Sequence, residues 1–188
     1  MSDTGEKAAF KPTPVFRPAR PDEAAALTEI ALAAKQSWGY PDDWLAAWRA
    51  DLTLTADYIR SQPVVVVELD GAIAGFCGLA RKDGDWQLEH LWLRPGFFGR
   101  GLGRALFAVA VRLARAAGAT ELHIRSDPNA EPFYLKMGAV HAGQEAYLLL
   151  GKIPREVPLL VFPLRWIKNH ARFWGLNFLP MRARRGRV

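Results

Sequence analysis

Residues 95–104 are the most informative stretch of this chain and read Pro95-Gly96-Phe97-Phe98-Gly99-Arg100-Gly101-Leu102-Gly103-Arg104. The stretch lies between a predicted strand and a predicted helix. Glycine lets backbone N–H groups approach a ligand closely, and the unpaired N–H groups at a helix N-terminus favour a phosphate. Arg100 and Arg104 add positive charge. The stretch therefore predicts a phosphate-binding loop, and the alternative is a glycine-rich turn that holds no ligand.

Two common phosphate-binding motifs differ from this loop. The Walker loop ends in Gly-Lys-Ser or Gly-Lys-Thr, which is absent here. The dinucleotide fingerprint follows an early parallel strand and has an acidic residue about 20 positions further on. Here the loop follows the third strand of a predicted antiparallel meander, and Glu121 begins the next strand instead of ending it. The sequence therefore fits neither of these classes of nucleotide-binding protein.

Hydrophobic periodicity predicts an α/β (α+β) protein, a mixed sheet with helices on its faces. Two turns, Asp70-Gly71 and Asp83-Gly84, mark a three-stranded meander, because glycine supplies the positive φ of a tight hairpin. The predicted strands cover residues 15–19, 64–69, 72–80, 86–93, 121–125, 139–149 and 157–164, and the predicted helices cover 24–38, a stretch that starts at 41, 55–61, 102–117 and 129–137.

Length and composition indicate a single domain with a sizeable core, because the chain has 188 residues and half of them are hydrophobic. Residues 1–13 carry acids and no apolar run, so we interpret them as a flexible leader and not as a signal peptide. The single cysteine, Cys77, excludes an internal disulfide framework and a cysteine-rich zinc site, and no metal is expected. Since no apolar run approaches the ~20 residues of a membrane span, we expect a cytoplasmic protein.

The net charge of +6 is concentrated at the C-terminus. Residues 165–188 contain seven Lys and Arg residues and no acid, so the rest of the chain is close to neutral. Wound as a helix, 165–174 would have aromatic side chains on one side and basic ones elsewhere. This basic, aromatic tail could pack on the domain or on a second copy of the chain in a homodimer. The alternatives are an anionic membrane surface and nucleic acid.

Two motifs resemble those of the GCN5-related N-acetyltransferase superfamily. Leu93-Arg94-Pro95 followed by Gly99-Arg100-Gly101-Leu102-Gly103 is similar to its central motif, Gln/Arg-x-x-Gly-x-Gly/Ala after a strand that ends in Val-x-Pro, with Phe98 at the Gln/Arg position. Residues 129–138 are similar to its second motif, Asn-x-x-Ala-x-x-Tyr-x-x-x-Gly-Phe, with Ala139 at the last position. The likeness covers about residues 14–164, which form the predicted domain. It implies a mixed, mostly antiparallel sheet of about seven strands flanked by helices.

The resemblance also implies acetyl-CoA as the cofactor, with its pyrophosphate held by the glycine loop. Backbone amides near Leu91 and Leu93 would bind the pantetheine arm and polarise the thioester carbonyl. Asn129 would bind the same arm, although it could equally cap a helix. The expected cofactor-binding residues are Leu91, Leu93, Phe98, Gly99, Arg100, Gly101, Leu102, Gly103, Arg104 and Asn129.

Acetyl transfer from a thioester to an amine needs a base for the amine proton and a donor for the departing sulfur. Glu89 is our candidate base, since strand alternation places Gln87, Glu89, Leu91 and Leu93 on one face and His90 on the other. The alternative is a surface acid in a salt bridge. The resemblance makes Tyr134 the general acid, and the alternative is a core aromatic residue. Cys77, in an apolar strand, is interpreted as a buried thiol and not as a nucleophile.

Aromatic residues cluster at the junction of the first two helices, which in this family covers the acceptor site. Trp38, Tyr40 and Trp44 are candidates for binding the acceptor, because aromatic rings can stack on a substrate or hold an ammonium. Trp48 fits core packing better. The sequence therefore predicts an acetyl-CoA-dependent N-acetyltransferase that acts directly on a primary amine of a small molecule or peptide. The alternative is a non-catalytic acyl-CoA-binding module whose basic tail binds a partner, a membrane surface or nucleic acid.

Overall fold

The computed structural model describes residues 13–164, which form one seven-stranded sheet with the strand order β1-β2-β3-β4-β5-β7-β6. Neighbouring strands are antiparallel except β4 and β5, which are parallel. The predicted mixed, mostly antiparallel sheet of about seven strands is confirmed. The strands are β1 (Val15–Pro18), β2 (Val64–Leu69), β3 (Ala72–Lys82), β4 (Asp85–Leu93), β5 (Glu121–Arg125), β6 (Val140–Leu149) and β7 (Ile153–Pro163).

Five α-helices flank the sheet within residues 13–164. They are α1 (Ala24–Gln36), α2 (Asp42–Leu52), α3 (Ala56–Ser61), α4 (Leu102–Ala116) and α5 (Glu131–Lys136). In this part of the chain, no helix is long and apolar enough to cross a membrane. The predicted leader, except Thr13, and the predicted basic tail at 165–188 lie outside the described residues.

The core has two layers because the central strands are covered on both faces. All four valines of the run Val64–Val67 are at most 4% exposed, as expected for a strand buried on both sides. Val65 and Val67 pack in a cluster with α4, which contributes Phe107. Val64 and Val66 pack in a second cluster with residues of α1, α2 and α3. The alternation along β2 therefore separates an α4 face from an α1–α3 face of the sheet.

The last strand begins at Ile153, which is earlier than its predicted start at residue 157. The early part contains Pro154 and Pro158, which pair with β6. Within the described residues, β5 pairs only with the later part, 159–163. The two prolines thus lie where one edge of β7 has no strand partner, which is where a strand tolerates residues without an N–H donor.

Gly75 fixes the end of the β3–β4 pair, directly opposite Leu93. A Cβ atom at Gly75 would overlap the carbonyl oxygen of Trp92 and the side chain of Leu93. We expect Gly75→Ala to lower the free energy of unfolding by about 1–3 kcal/mol, because backbone atoms would have to move. Chemical denaturation would measure this. Gly96→Ala is the matched control, since a Cβ there meets nothing within 4 Å, and an equal loss in both variants would contradict the prediction.

Candidate functional site

Strands β4 and β5 separate in the middle of the sheet. They are parallel neighbours, but their pairing is confined to Gln87 and His123. The glycine loop and α4 follow β4, and the segment leading to α5 follows β5. The gap between the two strands is therefore bordered by both motifs that the sequence analysis singled out.

A cavity of about 410 Å³ lies between the glycine loop and α5, and we call it the glycine-loop pocket. It brings together most of the predicted cofactor-binding residues with the predicted acid Tyr134. Its lining comprises Ala34, Trp38, Leu91, Trp92, Leu93, Phe98, Gly99, Gly101, Gly103, Arg104, Asn129, Ala130, Phe133, Tyr134, Lys136 and Met137.

The glycine loop presents free backbone donors to this pocket. Gly99 and Gly101 have φ values of 76° and 79°, and a Cβ at either position would meet nothing within 4 Å. Within the described part of the chain, none of the backbone N–H groups of residues 99–104 donates a backbone hydrogen bond, and α4 begins at Leu102. The positive end of the helix dipole adds to these donors. With Arg104 and Lys136 on the lining, the loop suits a phosphate group.

Two predicted cofactor-binding side chains lie elsewhere. Leu102 is 4% exposed and packs in the α4-face cluster, so its side chain belongs to the core. Arg100 is exposed, with its guanidinium carbon 5.1 Å from the ring centre of Phe97. Neither side chain lines the glycine-loop pocket. Any contribution of these two residues to this pocket therefore comes from their backbone N–H groups.

A β-bulge corrects the predicted alternation along β4. Gly78 of β3 pairs with His90, and the next residue, Leu79, pairs with Leu88, so Glu89 is the extra residue. Leu91 packs on the α4 face, whereas Glu89 contacts Tyr58 of α3 on the other face. The prediction that Glu89 shares a face with Leu91 and Leu93, opposite His90, is wrong, because a bulge shifts the alternation by one residue.

Glu89 is held by two neighbours. Its side chain is 16% exposed, accepts a hydrogen bond from the Tyr58 hydroxyl at 2.8 Å and forms an ion pair with Lys82. Burial alone would raise the pKa of Glu89, but the hydrogen bonds from Lys82 and Tyr58 outweigh it and hold the pKa below its usual value. Burial raises the pKa of Tyr58, so its hydroxyl keeps the proton that it donates. Glu89 is therefore an ionised carboxylate at neutral pH.

His90 is buried beside Glu89 and is neutral at pH 7. Burial lowers the pKa of His90 to about 4. Trp92 Nε1 donates a hydrogen bond to His90 Nδ1 at 3.2 Å, which places the imidazole proton on Nε2. The His90 ring packs against Tyr58 and Phe76 at centroid distances of 5.4 and 5.8 Å. His90 therefore orients Trp92 rather than carrying charge.

A second cavity of about 150 Å³ lies on the α1–α3 face, and we call it the aromatic pocket. Glu89 lies on its lining, and Trp92 lines this cavity as well as the glycine-loop pocket. The two pockets are therefore neighbours that share Trp92 as a wall residue. The lining residues are Lys35, Trp48, Asp51, Leu52, Glu89, His90, Trp92, Arg125, Ser126, Asp127, Tyr147, Arg155 and Val157.

The aromatic residues at the first helix junction divide between the two cavities. Trp38 lines the glycine-loop pocket and packs against Trp92 at a centroid distance of 5.9 Å. Trp48, assigned to the core by the sequence analysis, is 7% exposed but also lines the aromatic pocket. Tyr40 and Trp44 stack on each other at 5.9 Å and support that pocket from behind its lining. Of the predicted acceptor residues, Trp38 therefore lines one of these two pockets, whereas Tyr40 and Trp44 line neither.

A polar network links α1 to the segment before α5. Asp127 accepts hydrogen bonds from Lys35 at 2.5 Å and from the Tyr40 hydroxyl at 3.0 Å. The Lys35 ammonium lies 4.1 Å from the ring centre of Trp48. Asn129 donates to the Tyr40 hydroxyl at 2.8 Å, and α5 is capped by Ala130 instead. Asn129 is therefore not a helix cap, and its side chain borders the glycine-loop pocket.

Tyr134 and Cys77 are both buried, with different consequences. Tyr134 is 7% exposed, packs against Phe107 and Phe133, and lines the glycine-loop pocket. Burial raises the pKa of Tyr134, so the phenol keeps its proton. Cys77 is fully buried, and burial raises the pKa of its thiol to about 12. A thiol that does not ionise is a poor nucleophile, which agrees with its interpretation as a core residue.

The profile of the acetyltransferase (GNAT) family matches residues 25–139, which are more than half of the chain. The chain belongs to this family. The predicted family is confirmed, and acetyl-CoA is the acyl donor of the family. The match includes the glycine loop and both β4 and α5.

Individual relatives agree with the family assignment. A Bacillus subtilis protein assigned as a ribosomal protein bS18-alanine N-acetyltransferase is 33% identical over 82 residues, 42% of this chain. The match spans about half of that relative, 54% of its length. A GCN5-related N-acetyltransferase from Rhodopseudomonas palustris superposes with a TM-score of 0.68 at 25% identity, covering 80% of this chain and 96% of that one. The PaiA N-acetyltransferase of Thermoplasma acidophilum, solved with coenzyme A, shares the fold with a TM-score of 0.61 at 16% identity, covering 80% and 99%.

Proposed function

We propose that this protein transfers the acetyl group of acetyl-CoA, held in the glycine-loop pocket, directly to the primary amine of a small molecule or peptide in the aromatic pocket. The strongest support is Trp92, which lines both pockets at the gap between β4 and β5. A donor and an acceptor that meet there would react without diffusing apart. The buried thiol of Cys77 offers no nucleophile for an acyl-enzyme.

The glycine-loop pocket has the donor set that the cofactor requires. The unpaired N–H groups of residues 99–104 would hold the pyrophosphate, and Arg104 and Lys136 would add positive charge. Asn129 would donate to the amide groups of the pantetheine arm, and Leu91 and Leu93 would flank it. Acetyl-CoA supplies the activated acetyl group. Phe98 is 46% exposed at this wall, where an aromatic ring suits an apolar part of the cofactor.

Glu89 would hold the acceptor ammonium and orient the water that carries its proton to solvent. Because its pKa lies below the usual value, Glu89 is ionised at neutral pH and can accept a hydrogen bond from the ammonium or from a water that relays the proton. The low pKa also makes it a weak base. Its main contribution is therefore to hold the ammonium and to orient the relaying water.

Tyr134 would act on the sulfur side of the reaction. Tyr134 lines the glycine-loop pocket, and its hydroxyl stays protonated because burial raises its pKa. A thiol has a free pKa of about 8.5, so full proton transfer from such a phenol to the leaving sulfur is uphill. A hydrogen bond from Tyr134 would nevertheless stabilise the charge that develops on the sulfur.

The proposal also includes a cytoplasmic location for the protein and binding partners for its basic C-terminal residues. A reducing cytoplasm suits a chain with a single cysteine. For the basic residues 165–188, a second copy of the chain, an anionic membrane surface and nucleic acid are candidate partners. The acceptor itself is an amine of a small molecule or peptide, and the small volume of the aromatic pocket favours a compact group at the reacting end.

An acetylation assay with the full chain tests the function. The protein is incubated with acetyl-CoA and a panel of amino acids, aromatic amines and a peptide with an N-terminal alanine, and both free coenzyme A and the acetylated product are measured by mass spectrometry. We expect coenzyme A release that requires an amine and matches product formation one to one. Binding of acetyl-CoA without acetylation of any panel member would instead favour the non-catalytic binding module.

A further inference from the structure

Most charged side chains on the aromatic pocket are already paired inside the protein. Lys35 pairs with Asp127 at 2.5 Å, and Arg125 pairs with Glu145 at 2.9 Å. Glu89 pairs with Lys82, as described above. The pairs made by Lys35 and Arg125 stabilise the walls of the pocket and leave little of the positive charge of these two residues for an anionic ligand.

Arg155 of β7 is different. Within residues 13–164, no carboxylate lies within ion-pair distance of Arg155, and its Nε is buried without a hydrogen-bond partner. Its recorded hydrogen bond is a long one, from Nη2 to the Tyr40 hydroxyl at 3.4 Å. The remaining acid on the pocket, Asp51, is exposed and is not paired with it.

Aromatic rings hold the guanidinium of Arg155 in place. Its central carbon lies 4.8 Å from the ring centre of Trp44, 5.4 Å from Tyr40 and 5.8 Å from Trp48. Cation–π contacts of this kind fix the position of a guanidinium without using its N–H groups as hydrogen-bond donors. Arg155 is therefore an oriented cation on the lining of the aromatic pocket, and its Nη1 has no hydrogen-bond partner within residues 13–164.

The buried Nε is closed off from the cavity, so a ligand there would meet the Nη groups of Arg155. The natural complement of a fixed guanidinium edge is a carboxylate, which accepts two parallel hydrogen bonds. The volume of about 150 Å³ is comparable to that of cavities that hold one benzene-sized molecule. The ligand is therefore small, and it carries an anionic group.

We propose that Arg155 binds the carboxylate of the acceptor, and that the acceptor is a small amino carboxylate such as a free amino acid. This inference rests on the proposed acetyl transfer to an amine in the same pocket. Arg155, Glu89 and Trp92 line the same cavity, so the carboxylate would lie at Arg155 while the amine lies near Glu89 and Trp92. An N-terminal residue of a protein has an amide in place of this carboxylate, so a protein N-terminus would leave Arg155 without its partner.

The test compares three acceptors of nearly equal size: alanine, alaninamide and ethylamine. For the wild type we expect kcat/KM to be highest for alanine. Arg155→Gln should lower kcat/KM for alanine about ten- to hundredfold, mainly through KM, and leave the value for alaninamide nearly unchanged. Arg155→Lys should recover part of the loss, because it keeps the charge but not the bidentate edge. Arg49→Gln, on an exposed part of α2, is the matched control.

A binding measurement separates failure of this inference from failure of the proposed function. Calorimetric titration with N-acetylalanine and N-acetylalaninamide needs no turnover. We expect the wild type to bind N-acetylalanine more tightly than N-acetylalaninamide, and we expect Arg155→Gln to abolish this difference. Equal binding of the two compounds, or an equal loss for all three acceptors in Arg155→Gln, would overturn the role of Arg155 while acetyl transfer stands. Carboxylate-specific binding with no acetylation of any amine would sink the proposed function instead.

Discussion

Replacing Gly101 with Glu is expected to lower the affinity for acetyl-CoA by about a hundredfold or more. Gly101 precedes α4, and its N–H belongs to the row of free donors that suits a pyrophosphate. The new carboxylate would stand next to an anionic ligand, where like charges repel and the charge-assisted hydrogen bonds of the loop are weakened. A Cβ at Gly101 meets no atom within 4 Å, so the side chain extends into open space and does not disrupt the core. Calorimetric titration with acetyl-CoA measures the effect.

Gly71 provides a matched control for the same change. It has a φ of +76° against +79° at Gly101, and a Cβ there also meets nothing within 4 Å. Gly71→Glu therefore adds the same charge and the same backbone strain, on the order of 1–2 kcal/mol, in the β2–β3 turn. We expect both variants to lose similar stability and only Gly101→Glu to lose binding. Retained binding in Gly101→Glu would show that the cofactor does not use this loop.

The cofactor side of the site could be predicted because its chemistry is local. A helix N-terminus preceded by glycines is a contiguous sequence motif. Its hydrogen-bond donors are backbone N–H groups, and the direction of these groups follows from the turn. The same reasoning cannot tell which side chains of the loop point inward. The side chain of Leu102, for example, lies on the buried face of α4, where helical periodicity places it.

The face of the sheet on which Glu89 lies could not be predicted from the sequence of β4 alone. A β-bulge is a property of a strand pair, and its effect on which face a side chain takes appears only when β3 is aligned with β4. One signal was present in the sequence: Gly78 lies within an otherwise apolar strand, which is typical of a bulge or a close approach. In the structure, a Cβ at Gly78 would come within 3.3 Å of the Tyr58 hydroxyl, the group that binds Glu89.

The charged side of the aromatic pocket was missed because it depends on contacts between distant parts of the chain. Lys35 and Asp127 are 92 residues apart, and Tyr40 and Arg155 are 115 residues apart. Their residue types are ordinary on a surface helix or an edge strand, so no local pattern distinguishes them. Arg155 also lies in the early part of β7, where Pro154 and Pro158 argue against a strand, so its position on the sheet was not expected.

Replacing Glu89 with Gln is expected to lower the rate of acetyl transfer by about two to four orders of magnitude, the usual range for losing a group that assists proton transfer. The affinity for acetyl-CoA should stay the same, because Glu89 lines the aromatic pocket and not the glycine-loop pocket. Glutamine keeps the shape and can still accept from Tyr58, but it loses the charge that holds the ammonium. Steady-state kinetics and calorimetric titration on the same preparation measure the two effects separately.

Glu29→Gln is the matched control for Glu89→Gln, since Glu29 is exposed on α1 and lies on neither pocket. The pH dependence adds an independent check. The pKa of Glu89 lies below its usual value, so Glu89 is already ionised above about pH 6 and no part of the profile there reports its titration. The rise of kcat/KM with pH should then follow the acceptor ammonium, and it should keep its midpoint in the variant. Unchanged turnover in Glu89→Gln would remove Glu89 from the reaction, whereas lost turnover with intact acetyl-CoA binding would exclude the non-catalytic binding module.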